Sequence, residues 1–372
     1  MTQFIQIHFL TSYPPSNLNR DDLGRPKTAL MGGVNRLRIS SQSLKRAWRK
    51  SELFESALGN HMGIRTKRMG RKIYSDLIAG GITNEQARNW TRLMSEPFGK
   101  VEVLKAKKAA TDKDSVKKIA TPENIEEEKL STLDIAQLAH FSPEEQQAIN
   151  FLVKKCIAEK IEPTLHDLKL LRKDNSAADI ACFGRMLADN TGYNIEAAVQ
   201  VAHAISTHAV DIEDDYFTAV DDLNDGSENS GSAHLGETEF ASGLFYGYVC
   251  INRDLLKKNL GENELLTQKT IAALIEASAK ISPTGKQNSF ASRAYTSYML
   301  VEKGSQQPRS ISVAFLKPVK ENDLLKNSIE ALEKHRENID KVYGMCADKF
   351  TKLNAVEGEG SLSSLIDFAK AE

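Results

Sequence analysis

The residues between Leu23 and Ser51 carry the side chains that a binder of polyanions needs. This basic segment contains no acidic residue, whereas Met186 to Asn252 contains twelve acidic residues and no Lys or Arg. Such separation of charge creates an electropositive surface that favours the phosphates of nucleic acid. Solvated loops and helix faces without a ligand are the alternative. The eight cations of the segment are Arg25, Lys27, Arg36, Arg38, Lys45, Arg46, Arg49 and Lys50.

A helix is predicted from Gln42 to Ser51, with Ser40 or Ser41 as its N-cap. Leu44, Ala47 and Trp48 fall on one side and are predicted to pack inward. The opposite side carries an amide and three cations at i, i+3, i+4 and i+7, which we call the basic stripe: Gln42, Lys45, Arg46 and Arg49. The backbone N–H groups at the start of the helix also favour an anion such as phosphate.

Two groups of carboxylates could support other chemistry. Asp21 and Asp22 could orient a nucleophile beside a phosphodiester, although ordering of their loop through Asx turns is the favoured interpretation. The second group has five aspartates and three histidines, Asp211, Asp214, Asp215, Asp221, Asp222, His203, His208 and His234. Their spacing matches no known ligand pattern, which favours a solvated acidic loop or one that meets a basic surface of another copy, and no metal site is expected. The segment from His203 to His208 is assigned to the core, on a helical apolar face.

Two further segments could contact nucleic acid. Residues 285–288 are predicted to form a turn that presents a cation, Lys286, and two amides; it could contact phosphate, and a plain surface turn is the alternative. Tyr216 and Phe217 lie in a long Gly- and Ser-rich segment, Asp211 to Gly243, which is predicted to be a loop. Aromatic side chains in such a loop either pack onto the core or stack on bases.

The elements that must position these residues suit an α+β fold. Ala57 to Ala198 is rich in helix formers and is interpreted as an inserted helical domain, in which the lysines between Lys105 and Lys118 are favoured as a solvated helix face. Without this insertion and the long loop, strands and helices alternate as in a ferredoxin-like or RNA-recognition-motif-like sheet. Thr11 to Met31 is predicted to be a loop, the strands are Phe4–Leu10, Val34–Ile39, Leu244–Ile251 and Ser310–Leu316, and the later helices are Glu264–Lys280 and Glu321–Tyr343.

Composition limits the class of protein. The 372 residues are 41% hydrophobic and 27% charged, which excludes a wholly disordered chain. The longest nearly apolar stretch, Gly243 to Ile251, is too short to span a bilayer, and the N-terminus lacks a signal-peptide pattern. The four cysteines form no C-x-x-C pair. A cytoplasmic location is therefore expected.

Six motifs occur in a fixed order along the chain: Leu18–Asp22, Arg38–Arg46, Ala202–His208, Phe217–Leu223, Gly231–Gly236 and Glu239–Gly243. In these motifs the sequence resembles the CasC-type backbone subunit of the type I-E CRISPR surveillance complex Cascade, of the RAMP superfamily. The helical insertion and the C-terminal third match this family weakly.

The resemblance implies the shape of a right hand. An RNA-recognition-motif-like palm would comprise residues 1–58, 199–210 and 244–372, with helical fingers at 59–198 and a thumb loop at 211–243. Copies of the subunit would stack into a helical filament along the CRISPR RNA, and each thumb would displace one base at regular intervals. The segments between displaced bases would pair with target DNA.

The resemblance also assigns residues. Ser40, the basic stripe and Lys27 would hold the guide backbone. Lys286 is predicted as a further RNA contact from its turn alone, not from the resemblance. Met186 would lie at the edge of the fingers, with Tyr216, Phe217, Thr218 and Leu235 of the thumb around the displaced nucleotide. Tyr216 stands where a tryptophan is expected, and the thumb looks longer than usual at Gly226–Ser230.

The function implied is non-catalytic binding of CRISPR RNA in antiviral defence. Partners would be CRISPR RNA, target DNA, further copies of the chain, other Cascade subunits and a recruited nuclease-helicase, without a cofactor or a membrane. A metal-dependent nuclease that uses Asp21 or Asp22 is the alternative, because related type III backbone subunits cut RNA with a loop aspartate. A CRISPR RNA-processing endonuclease is a weaker alternative, since no suitable His-Tyr-Lys arrangement is found.

Overall fold

The chain divides into two compact units. The computed structural model describes residues 2–101, 122–174, 176–219, 234–320 and 322–371. The first unit contains Met1–Gly59, Val199–Leu256 and Glu264–Glu372, and the second contains Asn60–Ala198 and Lys257–Asn263. The lysines between Lys105 and Lys118, Asp221, Asp222 and Gly226–Ser230 lie outside the described residues.

Eleven strands are found in the described residues. They are β1 (Phe4–Ser16), β2 (Thr28–Met31), β3 (Val34–Ile39), β4 (Ile64–Thr66), β5 (Ala139–Phe141), β6 (Val199–Val201), β7 (Ala204–Ser206), β8 (Glu213–Ala219), β9 (His234–Asn252), β10 (Tyr298–Gly304) and β11 (Lys349–Asn354). The strands of the first unit form one antiparallel sheet in the order β11-β10-β1-β9-β7-β3-β2, with β6 and β8 also paired to β9. The second unit contains the antiparallel pair β4–β5.

Twelve α-helices accompany these strands in the described ranges. They are α1 (Ser41–Arg49), α2 (Glu52–Leu58), α3 (Met69–Ala79), α4 (Asn84–Ser95), α5 (Pro122–Ser131), α6 (Pro143–Glu159), α7 (Ala178–Phe183), α8 (Arg253–Asn259), α9 (Glu264–Lys280), α10 (Gln287–Phe290), α11 (Leu324–Tyr343) and α12 (Leu362–Lys370). None of these helices combines the length and apolar character that crossing a bilayer requires. The α+β class is confirmed, and the sheet order β10-β1-β9-β7 is compatible with a ferredoxin-like core.

The core of the first unit forms where β1, β9 and β10 meet. Leu10, Leu244, Tyr246 and Leu300 are buried there, together with Phe315 from a short 3₁₀ turn. The second unit has its own core, in which Trp90, Phe98 and Phe141 are buried among aliphatic side chains. Cys156, Cys182, Cys250 and Cys346 are free thiols.

A buried ionic network joins β1, β10 and the segment that follows β10. Its members are His8, Glu302 and Arg309. His8 Nε2 lies 3.2 Å from Glu302 Oε2, and Arg309 Nη2 donates to Glu302 Oε1 at 3.1 Å. Burial would raise the pKa of Glu302, but hydrogen bonds from His8 and Arg309 outweigh it and lower that pKa to about 2. Burial lowers the pKa of His8, and its Nδ1 lies 2.9 Å from Tyr246 Oη.

Several sequence expectations are wrong in detail. Ser310–Leu316 is not a strand, because Ile311 and Phe315 bury the same face of a turn at i and i+4 while Val313 and Leu316 are exposed. Of the two strands that flank β1, β10 was not predicted from the sequence, whereas β9 contains the predicted strand Leu244–Ile251.

The predicted loop Thr11–Met31 begins and ends in strands. β1 continues to Ser16 across an irregularity at Pro14 and Pro15, and Thr28–Met31 pairs with β3. The predicted helical face between Val199 and Ile205 is also wrong, because this segment forms β6 and β7.

Candidate nucleic-acid interface

Helix α1 displays the basic stripe because its other face is apolar. Leu44, Ala47 and Trp48 are buried, as predicted, while Gln42 and Arg46 are exposed. Lys45 and Arg49 are half-buried. The helix ends at Arg49, two residues earlier than predicted, and Arg46 and Arg49 lie in its last turn, where cations interact favourably with the helix dipole.

Ser40 precedes α1 and is buried, whereas the residues of the basic stripe are exposed or half-buried. Its side chain accepts a hydrogen bond from Ser43 N, which confirms Ser40 as the N-cap, and only 8% of the residue is exposed. Its own backbone N–H donates to Asn19 Oδ1 at 2.9 Å. Ser40 therefore holds the first turn of α1 against the preceding loop.

The loop before β2 places Lys27 beside β3. Lys27 N donates to Asn19 O, and Arg38 N donates to Lys27 O, both at 2.8 Å. Asp21 Oδ1 accepts from Leu23 N at 3.0 Å and from Arg25 N at 2.9 Å. Asp21 thus orders the loop through the expected Asx turn, and Asp22 is exposed.

Four charged or titratable side chains, Arg38, Lys27, Lys45 and His203, interact with one another near β3. Arg38 Nη1 lies 2.9 Å from His203 Nδ1, so the imidazole accepts from the guanidinium. The pKa of His203 is lowered from 6.5, first by partial burial and then by the positive charges of Arg38, Lys27 and Lys45. These three cations therefore create one electropositive region. Arg38 belongs to this electropositive region but was not among the predicted RNA-binding residues, although it lies in the basic segment.

Arg36 is a correction to the predicted basic surface. Arg36 and Arg38 are two residues apart on β3 and so share one face, and both were counted among the cations of the predicted basic surface, but Arg36 is fully buried. Its guanidinium donates to Ser206 O at 3.0 Å and to Phe315 O at 2.8 Å, which satisfies backbone carbonyls of the interior. Arg36 therefore stabilises the interior and is not part of the basic surface.

The predicted thumb loop has strands at both ends. β8 pairs with the first part of β9, with Tyr216 opposite Glu237, Phe217 opposite Gly236 and Thr218 opposite Leu235. Because β9 continues into the central sheet beside β1, this ribbon is an extension of a central strand. The expectation of a loop is wrong for these described residues, since strand pairing here is not visible in a Gly- and Ser-rich sequence.

Side chains on β8 point alternately to two faces of the ribbon. Tyr216 is 66% exposed and shares its face with exposed Thr218, while Phe217 lies on the other face. A Cβ on Gly236 would lie 2.3 Å from Phe217 Cζ, so the Phe217 ring covers this glycine. The two aromatic residues therefore occupy different surroundings, and Tyr216 offers the more accessible ring.

Lys286 and Met186 occupy two further surfaces. Lys286, in the first unit, is half-buried and donates to Thr238 Oγ1 on β9. Met186, in the second unit, is 82% exposed between two buried neighbours, Arg185 and Leu187. Arg185 N donates to Ile195 O at 3.0 Å, and the Ile195 N–H returns a bond to Arg185 O, so the backbone that presents the Met186 thioether is held in place.

Two of the three histidines near the acidic segment, His203 and His208, have partners outside it. His203 contacts Arg38, and His208 Nε2 accepts from Leu244 N at 3.1 Å. In the described parts of the chain, no group of three or more His, Cys, Asp or Glu side chains is arranged to hold a metal ion.

Comparison with known proteins identifies similar chains. The sequence profile of the CT1975-like protein family matches residues 5–366. A chain of a solved "CRISPR RNA-guided surveillance complex, pre-nicking" is 28% identical with a TM-score of 0.77, over 97% of this chain and 95% of that chain. A chain of another "CRISPR RNA-guided surveillance complex" has a TM-score of 0.58 at 22% identity, over 99% of this chain and 98% of that chain, and supports the fold alone. The curated proteins give no match.

Proposed function

Because this chain belongs to the CT1975-like protein family, we propose that it is a CasC-type, non-catalytic backbone subunit of a CRISPR RNA-guided surveillance complex. The observation that carries the proposal is the convergence of Lys27, Arg38 and Lys45 on His203, beside the exposed stripe of α1. Such a surface binds phosphates without reading bases. A subunit that must hold any guide sequence needs this kind of binding.

Two sets of residues contact the RNA in this proposal. The basic stripe, Lys27, Arg38 and Lys286 bind guide phosphates, and Ser40 fixes the start of α1, where backbone N–H groups favour an anion. Tyr216, Phe217, Thr218 and Leu235 on the β8–β9 ribbon contact a displaced nucleotide, with Tyr216 as the stacking group. Met186 is a further RNA contact on the second unit.

Binding of guide phosphates without reading of bases also determines how the complex assembles. Copies of the chain polymerise along CRISPR RNA in the cytoplasm and leave guide segments free to pair with target DNA, and other Cascade subunits join the filament. Base pairing then reads the target sequence, while a recruited nuclease-helicase cuts it. The palm, fingers and thumb correspond to residues 1–58, 199–210 and 244–372, to 59–198 and to 211–243.

The binding test measures RNA affinity of the full chain between about 50 and 200 mM salt. Replacing one phosphate-binding cation, in Lys45→Ala, should weaken binding to unrelated RNAs equally and lower the salt slope by about one. Lys334→Ala, an exposed lysine on α11, is the matched control and should leave the slope unchanged. An unchanged slope in Lys45→Ala would remove Lys45 from the interface.

The assembly test purifies the chain from cells that carry a CRISPR array and sequences the bound RNA with and without magnesium. Intact RNA protected at regular intervals supports the filament. RNA shortened only with magnesium, and protected again in Asp22→Ala, would overturn the non-catalytic role.

A further inference from the structure

A second surface of the first unit has features that the basic stripe does not explain. A cleft of about 770 Å³ lies between the α1–α2 junction and the segment that follows α9. Arg46 is the only stripe residue that lines it. Its volume lies in the range of pockets that hold small ligands. The charges and the aromatic ring of its walls indicate which ligand it suits.

The exposed charges of the cleft are mainly positive. Arg46 and Lys50 line it from α1 and its C-cap, and Arg293 lines it from the opposite wall. All three side chains are exposed. Lys280 also lines the cleft but pairs with Glu276 at 2.6 Å, and Glu52 is a carboxylate on the rim. A phosphate is therefore favoured over a cation in this cleft.

Tyr295 adds an aromatic surface beside these cations. It is 70% exposed, although its neighbour Thr296 is buried. Thr296 N donates to Ala279 O at 2.8 Å, and Ala294 N donates to Ser282 Oγ at 3.0 Å. The backbone on both sides of Tyr295 is thus held while its ring remains open to solvent, which is the arrangement of a stacking platform for a base.

The wall that carries Arg293 and Tyr295 is also conformationally constrained. Lys286 and Ala291, at φ 47° and 46°, occupy the left-handed region on either side of α10. A Cβ on Gly285 would lie 2.2 Å from Leu18 O, so this position requires glycine. Strained residues of this kind persist where surrounding structure enforces them, and they cluster at functional sites.

We infer that this cleft is a second nucleotide site, in which Tyr295 stacks on an unpaired RNA base while Arg293 and Lys50 bind the adjoining phosphate. The inference rests on the proposed RNA-binding function and extends it to residues outside the stripe. Since Arg46 faces both surfaces, the cleft continues the phosphate track of α1. An acidic protein segment would satisfy the cations but would make no specific use of the exposed ring, so the cleft favours RNA.

The test uses the full chain and single-stranded RNAs in which one adenine at a time is replaced by 2-aminopurine, whose fluorescence is quenched by stacking. Tyr295→Leu should weaken RNA binding about tenfold and abolish quenching at the position that stacks. Tyr295→Phe should retain both properties, because its ring can stack. Tyr343→Leu, which removes a tyrosine that is 82% exposed at the end of α11, is the control and should match the wild type. Fully double-stranded RNA should show no such quenching.

The outcomes separate this inference from the proposed function. If Tyr295→Leu binds and quenches like the wild type while Lys45→Ala has a reduced salt slope, the cleft is not a nucleotide site and the proposed function stands. If the wild type and Tyr295→Leu both fail to bind any RNA, the proposed function fails with it. If Arg293→Glu changes the oligomeric state but leaves RNA affinity unchanged, the cleft binds an acidic protein surface, and the inference is overturned.

Discussion

The first unit uses charge in two opposite ways, in the basic stripe of α1 and in the buried ionic network of His8, Glu302 and Arg309. The stripe lies in a segment without carboxylates and faces solvent. In the network, Glu302 is fully buried and contacts both of its partners. The comparison teaches that the location of a cation decides its effect. A cation at the surface acts on a ligand, whereas a cation in the interior acts on folding.

Removing the central carboxylate of the network should have the largest effect. Glu302→Leu leaves Arg309 and His8 without their acceptor, and we expect the free energy of unfolding to fall by about 3–5 kcal/mol. Urea denaturation measures this change, and Glu337→Leu, an exposed position on α11, is the control. A loss as small as that of the control would mean that the network contributes little to folding.

Arg36 tests whether the role of a cation follows from its place in the basic segment or from its burial in the fold. Arg36→Met leaves the carbonyl groups of Ser206 and Phe315 without their donor, so we expect a loss of about 1–3 kcal/mol in the free energy of unfolding. Arg46→Met should stay within about 0.5 kcal/mol of the wild type in stability but should bind RNA more weakly. If Arg36→Met and Arg46→Met are equally stable, burial does not decide whether a cation acts on folding.

Ser40 allows stability and binding to be changed separately. Ser40→Ala removes the N-cap and should cost about 1 kcal/mol of stability. Ser40→Asp keeps a capping oxygen, so its stability should remain close to that of the wild type, but its charge should repel RNA phosphate. Thermal unfolding and RNA titration of both variants measure the two effects. If Ser40→Asp binds RNA normally, no phosphate approaches this end of α1.

His203 should give the smallest effect, on the pH dependence of binding. Arg38, Lys27 and Lys45 help to lower its pKa below 6.5, and a bound phosphate should raise it again. Protonation and RNA binding then favour each other, so affinity should increase as pH falls below 6.5, by about threefold for one exposed charge. His203→Asn should remove this part of the increase in RNA titrations at pH 7.5 and 5.5. An equal increase in His203→Asn would place the titrating group elsewhere.

Local patterns of the sequence predict α1 and the bounds of β3 well. The faces of α1 follow from the spacing of Leu44, Ala47 and Trp48, and its start follows from the capping preference of Ser40. Both features depend on residues close together in the chain. The basic stripe was predictable for the same reason, whereas its role in RNA binding stays a prediction.

Features that depend on distant pairing were not predictable. Arg36 is buried because the carbonyl groups of Ser206 and Phe315 lie over it, and both are far away in sequence. The β8–β9 ribbon likewise forms by pairing across residues 220–233. Tyr295 and Arg293 come close to α1 only through the packing of α9. The only local sign of the cleft was therefore a cation and an aromatic residue close together after a predicted helix.

The position of β1 between β9 and β10 has a consequence for biosynthesis. His8 and Glu302 pair across 294 residues, and at ribosomal speeds of about 5–20 residues per second, Glu302 is added about 15–60 s after His8. During this interval the apolar strand β1 lacks β10, and until Asn252 has been added it also lacks the complete β9. Residues 60–198, which form most of the second unit, are complete well before β10. The sheet around β1 can therefore be completed only late in synthesis, after most of the second unit has been made.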